Sequence, residues 1–103
     1  MTEEQNLIVH FRYGSTDLTR LFELEDKLEA AINAANAGEF DGEEVAADGS
    51  DGFLYMFGPS ANRLFEVVTP ILKAADFMRG AKVTCKYGSM GTEARETIVV
   101  LPD

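Results

Sequence analysis

The chain has 103 residues with 18 acidic and 9 basic side chains, so it carries a formal net charge of −9 at neutral pH. This length fits one domain, 1–103; the single cysteine excludes an internal disulfide, and no apolar run approaches the ~20 residues that span a bilayer. Because the acidic balance repels phosphate backbones and anionic lipid, and the amino terminus lacks a secretory signal, we expect a cytoplasmic domain that binds neither nucleic acid nor membrane.

The first half of the chain predicts a strand, a helix and a hairpin. Residues 7–13 are rich in β-forming side chains and end at Gly14, which predicts a strand. Apolar residues then recur at helical spacing: Leu21, Leu24, Leu28, Ala31, Ile32 and Ala35. The acidic residues of this helix are expected to lie largely outward: Glu23, Glu25, Asp26 and Glu29. Residues 15–17 offer caps for this helix, and Gly38 suits the left-handed position after its end. Turn-forming residues over 48–52 predict a hairpin between strands over 43–47 and 53–57.

The second half predicts one more helix and two more strands. Ser60 is a candidate cap for a helix whose apolar stripe contains Leu64, Val67, Val68, Ile71 and Leu72. Pro70 lies inside that stripe and predicts a kink or a break, because proline removes a helical hydrogen bond. Residues 83–87 alternate as a half-exposed strand, a loop runs from Gly88 to Thr92, and a last strand is predicted over 97–101.

The resulting order, β-α-β-β-α-β-β, predicts an α+β fold. It resembles the ferredoxin-like plait, an antiparallel sheet of order 4-1-3-2 with both helices on one face. The last strand is expected to extend the sheet beside strand four. Strand two, which follows the acidic part of the chain, then forms one edge.

Two runs of sequence resemble those of a group of short uncharacterised bacterial proteins. They cover residues 55–65 (YMFGPSANRLF) and 77–88 (FMRGAKVTCKYG). The resemblance implies a bacterial cytoplasmic protein with a ferredoxin-like fold and no assigned function. It transfers no catalytic residue.

The charge is divided unevenly along the chain. Residues 1–51 carry a net charge of −10 and residues 52–103 a net charge of +1. The densest acidic segment contains Glu39, Asp41, Glu43, Glu44, Asp48 and Asp51. Its spacing does not follow the ligand pattern of a calcium loop, so we predict no metal site. A solvated edge is the simplest interpretation, and a docking surface for a basic protein is the functional one.

The uncovered face of the sheet is the second candidate surface. Strand 53–57 is apolar on both sides, and the sequence leaves open which side faces the helices. The helices bury only one side of this strand. The side they leave uncovered is expected next to Ile8, His10 and Arg12, and we assign Tyr55 to it. An apolar sheet face of this kind is normally buried by another molecule, which predicts a homodimer through the sheet face. RNA binding is disfavoured by the negative charge and by the absence of the glycine-aromatic signature of RNA-recognition modules.

A nucleophilic pair of His10 and Cys85 is also disfavoured. Alternation along residues 82–87 places Cys85 in the core, while His10 is expected on the open face. With no catalytic, cofactor-binding or metal-binding residues identified, we predict a non-catalytic protein-binding module, of an accessory or immunity type, that engages a basic partner. The alternative is a dimeric α+β barrel, in which His10, Arg12 and Tyr55 line a small-molecule site or a cofactor-independent oxygenase site.

Overall fold

The computed structural model describes residues 4–88 and 95–102. Its elements are β1 (Gln5–Arg12), α1 (Thr19–Ala35), β2 (Glu39–Val45), β3 (Asp51–Gly58), α2 (Ala61–Ala74), a 3₁₀ turn (Asp76–Met78), β4 (Lys82–Lys86) and β5 (Glu96–Val100). The predicted α+β class and order of helices and strands are therefore confirmed. The loop expected between Gly88 and Thr92 lies, beyond its first residue, outside the described residues.

The five strands form one antiparallel sheet in the order β2-β3-β1-β4-β5. Both helices lie on the same face, since α2 packs on β1, β3 and β4 and α1 packs on α2 and β2. This arrangement is compatible with an α+β plait. It makes the acidic β2 one edge strand and the apolar β5 the other.

The core fills the space between the sheet and the helices. Along β1, Leu7, Val9 and Phe11 are buried and alternate with side chains on the open face. The other strands and the helices contribute further buried side chains, among them Leu54, Met56, Val83, Cys85, Leu21, Leu28, Ile32, Leu64, Val68 and Leu72. No polar or charged residue is fully buried in the described part of the chain. The side chains that strand alternation and helical spacing turn toward the core are thus all apolar in this part of the chain.

Helix α2 runs unbroken through Pro70, so of the predicted kink or break, the break is wrong. Ser60 caps its start, as expected, because the Ser60 hydroxyl accepts a hydrogen bond from the Arg63 N–H. Pro70 lies on an exposed part of the helix, where water can satisfy the carbonyl that loses its N–H partner. Val67 was predicted in the core but is only half-buried, and its neighbour Val68 is fully buried.

The ends of α1 also differ from the prediction. Leu18 occupies the N-cap position without a side-chain hydrogen bond, while the Asp17 carboxylate just before it accepts from the Thr19 N–H. After the helix, Asn36 rather than Gly38 adopts the left-handed cap conformation, with φ of 52°. The chain therefore turns earlier than expected, and β2 begins at Glu39 instead of residue 43. Neither helix in the described residues is long and apolar enough to cross a membrane.

Candidate functional site

The acidic segment does not form one continuous surface. Along β2, Glu39 and Glu44 pair with Phe57 and Phe53 of β3 and lie on the open face of the sheet. Glu43 pairs with Leu54 and therefore lies on the helix side. Strand alternation divides these carboxylates between the two faces, with an irregular pairing between Phe40 and Gly42 around the exposed Asp41.

The two acidic residues of the hairpin have local partners. The Asp48 carboxylate accepts a hydrogen bond from the Ser50 N–H at 3.0 Å, and hydrogen bonds from Ser50 lower the pKa of Asp48. Asp51 Oδ2 lies 2.9 Å from His10 Nε2, across the β1–β3 pairing. These two side chains therefore serve the turn and the open sheet face.

A carboxylate pair forms where α1 packs against β2. Glu25 of α1 is half-buried beside Glu43, and its Oε2 atom is shielded from water without a hydrogen-bond partner. Burial, followed by the charge of Glu43, raises the pKa of Glu25 to about 7. The sequence interpretation placed Glu25 outward, which is wrong. The signal was present, because Glu25 lies four residues after Leu21 and three before Leu28, on the flank of the buried stripe.

We call Glu25, its charged neighbours Asp26 and Glu43, and the exposed Asp41 of the same edge strand the acidic edge. Within residues 4–88 and 95–102, ion pairs join His10 to Asp51, Arg20 to Asp76 and Arg63 to Glu66, and none of them includes a member of the acidic edge. In the same part of the chain, no three metal-binding side chains lie close enough to hold an ion. The acidic edge is thus a carboxylate-rich surface without an internal counter-ion among the described residues.

Flat rings cover the middle of the open sheet face. The His10 ring stacks on Phe53 with centroids 4.4 Å apart and planes inclined by 10°. The Phe53 ring also stacks on the Tyr55 ring, with centroids 6.1 Å apart and planes inclined by 12°. The Tyr55 hydroxyl donates a hydrogen bond to Glu44 at 2.9 Å, which raises the pKa of Tyr55. Phe53, Tyr55 and Phe57 therefore face away from the helices, which answers the question that the sequence left open.

The strand register extends this face into rows that cross the whole sheet. One row runs from β2 to β5 through Glu44, Phe53, His10, Lys82 and Val100. The next row contains Gly42, Tyr55, Ile8, Thr84 and Ile98. On β5, Ile98 is 51% and Val100 63% exposed. Of the predicted open-face residues, Ile8, His10 and Tyr55 lie together here, and the exposed Arg12 lies on β1 opposite Asp51.

Cys85 lies on the other face of the sheet. It is 3% exposed and pairs with Leu7, whereas His10 pairs with Lys82. Burial raises the pKa of the Cys85 thiol, so the thiolate is disfavoured. The structure places Cys85 and His10 on opposite sides of the sheet, where they cannot act as a nucleophilic pair.

A surface groove of about 560 Å³ lies between α1, α2 and the 3₁₀ turn. The Arg20 side chain lies at this groove, 3.2 Å from Asp76 and 5.3 Å from the centre of the Phe77 ring. Its guanidinium is therefore already engaged by an anion and by an aromatic face. These contacts are those of a side chain that joins α1 to the segment after α2.

The chain matches no protein-family model, no curated protein and no solved structure. The resemblance to short bacterial proteins therefore stays a prediction. The acidic edge and the open sheet face are the two surfaces whose geometry indicates a function.

Proposed function

We propose that this protein is a non-catalytic binding module whose acidic edge docks against a basic surface of a partner protein. The observation that carries the proposal is the Glu25–Glu43 pair. Two carboxylates lie side by side, one oxygen is shielded without a donor, and no ion pair of the described residues compensates them. A lysine or arginine from a partner, placed beside these two half-exposed side chains, would supply the missing positive charge.

The fold is suited to this role. We propose that it is a ferredoxin-like plait with an additional strand; the strand order supports this, because β4, β1, β3 and β2 are neighbours in that order and β5 lies outside β4. In this arrangement β2 is an edge strand, and α1 packs beside it, so the acidic edge is accessible from the side of the domain. Charged side chains at a sheet edge also discourage nonspecific strand pairing.

The proposal is tested by capture from lysate with three forms of the protein. The edge variant carries Glu25→Gln, Asp41→Asn and Glu43→Gln. The control variant carries Glu23→Gln, Glu29→Gln and Glu66→Gln at exposed helical positions and has the same net charge. We expect a partner that the wild type and the control retain and the edge variant loses.

Salt dependence provides the second criterion. The Debye length falls from roughly 10 Å at 0.1 M salt to about 3 Å at 1 M, so the specific partner should dissociate at high salt. Partner sets that are identical for the edge variant and the control would overturn the proposal, because capture would then follow net charge alone.

A second candidate function is favoured by the open sheet face. His10 beside Asp51, and Tyr55 beside Glu44, are polar pairs embedded in an aromatic surface, as expected for a small-molecule site in a dimeric α+β barrel. This function requires an enclosed cavity between two sheets. Native mass spectrometry of the purified protein distinguishes it, since a small molecule retained by the wild type should be lost in His10→Ala.

A further inference from the structure

The open sheet face has two halves of different character. The half formed by β2 and β3 carries Glu39 and Glu44 beside aromatic rings. The half formed by β4 and β5 carries Lys82 and Lys86 beside exposed aliphatic side chains. Glu96 is the one acid of the second half and lies next to Lys86, at the end of the sheet away from Lys82. The central strand β1 separates the halves.

We propose that a second copy of this chain covers the open face, related by a twofold axis that runs parallel to the strands along β1. This surface is separate from the acidic edge, so the inference goes beyond the proposed function. Its partner is identified by charge complementarity, since each copy presents both the anionic and the cationic half that the other copy requires.

The direction of the axis follows from the charges. When two identical sheets pack face to face, the twofold axis that relates them lies in the plane between them. An axis along the strands exchanges left and right, so β2 and β3 of one copy face β5 and β4 of the other. An axis across the strands would stack β2 on β2, with glutamates against glutamates, and lysines against lysines on β4. Charge repulsion excludes that second arrangement.

The side chains also fit the first arrangement. Packed sheets lie about 10 Å apart with strands aligned within about 30°, so side chains of facing rows interdigitate. The Lys82 stem of one copy would cover Phe53 of the other, and its ammonium group would reach Glu44 on the neighbouring strand. In the next row, Ile98 would face Gly42, where a Cβ would meet no atom within 4 Å. The exposed aliphatic residues of β5 would thus enter open space and lose contact with water.

A charge-exchange experiment tests both the partner and the axis. Glu44→Lys and Lys82→Glu are prepared separately and compared with the wild type by analytical ultracentrifugation from 1 to about 100 μM. We expect a wild-type dimer whose dissociation constant rises roughly tenfold or more in each variant, because each homodimer then has two like-charge contacts. An equimolar mixture should restore the wild-type affinity as a heterodimer, since both contacts between positions 44 and 82 again join a lysine to a glutamate.

Two controls have equal charge changes on the helix side, Glu66→Lys and Lys73→Glu, and both should dimerise like the wild type. Circular dichroism confirms that each variant is folded, and Lys82→Glu serves if Glu44→Lys does not fold. A monomeric wild type at about 100 μM overturns the proposal. If both variants dimerise as tightly as the wild type, or if their mixture regains no affinity, the proposed direction of the twofold axis is wrong. None of these outcomes depends on the acidic edge, which is not mutated.

Discussion

Replacing Glu25 by glutamine should stabilise the folded protein above neutral pH. The pKa of Glu25 rises from an ordinary 4.5 to about 7 in the folded state, because burial and the charge of Glu43 disfavour its ionised form. The unfolded chain therefore releases this proton at lower pH than the folded protein does. The free energy of unfolding therefore decreases as the pH rises from about 4.5 to about 7. Above about pH 7 the whole destabilisation by ionised Glu25 is present.

The size of the effect follows from the difference between the two pKa values. At about 1.4 kcal/mol for each pH unit, the full difference corresponds to roughly 3 kcal/mol. Glu25 is only half-buried, and solvent screening reduces this to an expected gain of about 1–2 kcal/mol at pH 8. A glutamine amide is neutral and can donate a hydrogen bond to Glu43, as the protonated carboxyl group does. At pH 5 Glu25 of the folded protein is protonated and most of this destabilisation is absent, so Glu25→Gln should raise the free energy of unfolding much less than at pH 8.

The measurement is urea denaturation of the wild type and Glu25→Gln at pH 5 and pH 8, at one protein concentration. Glu29→Gln is the matched control, because Glu29 lies one turn further along the same helix and is exposed. Its free energy of unfolding should change little at either pH. An equal gain from Glu25→Gln at both pH values, or a gain from Glu29→Gln of the same size, would refute the reasoning.

Two further predictions concern the fold. Leu28→Ala should lower the free energy of unfolding by about 2–5 kcal/mol, because Leu28 is fully buried. Val67→Ala should lower it clearly less, because Val67 is only half-buried. Equal shifts of the urea midpoint for the two variants would contradict the packing described for the two helices. Gly49→Ala should be more destabilising than Gly14→Ala by more than about 1 kcal/mol. Both glycines have positive φ, but an added Cβ at Gly49 would collide with the Ser15 carbonyl while one at Gly14 would meet no atom within 4 Å. Equal unfolding free energies for the two alanine variants would exclude this close approach.

The sequence alone determined the class and order of the elements. Helical spacing of apolar residues, strand alternation and the turn formers over 48–52 are local patterns, and each specifies an element without knowledge of the others. The same alternation placed Cys85 in the core and His10 on the open face, as the structure has them. Local patterns were weaker at element ends, where Asn36 adopted the left-handed cap in place of Gly38.

The tertiary structure decided which of these residues meet. Strand β3 is apolar on both sides, so its own pattern could not select Leu54 and Met56 as the buried side; that choice required the helices to cover one face. Glu25 and Glu43 are far apart in sequence, and only the packing of α1 on β2 brings their charges together. The arrangement of Glu44 and Lys82 on opposite halves of one face likewise depends on strand order and register, which are set by long-range pairing between strands distant in sequence.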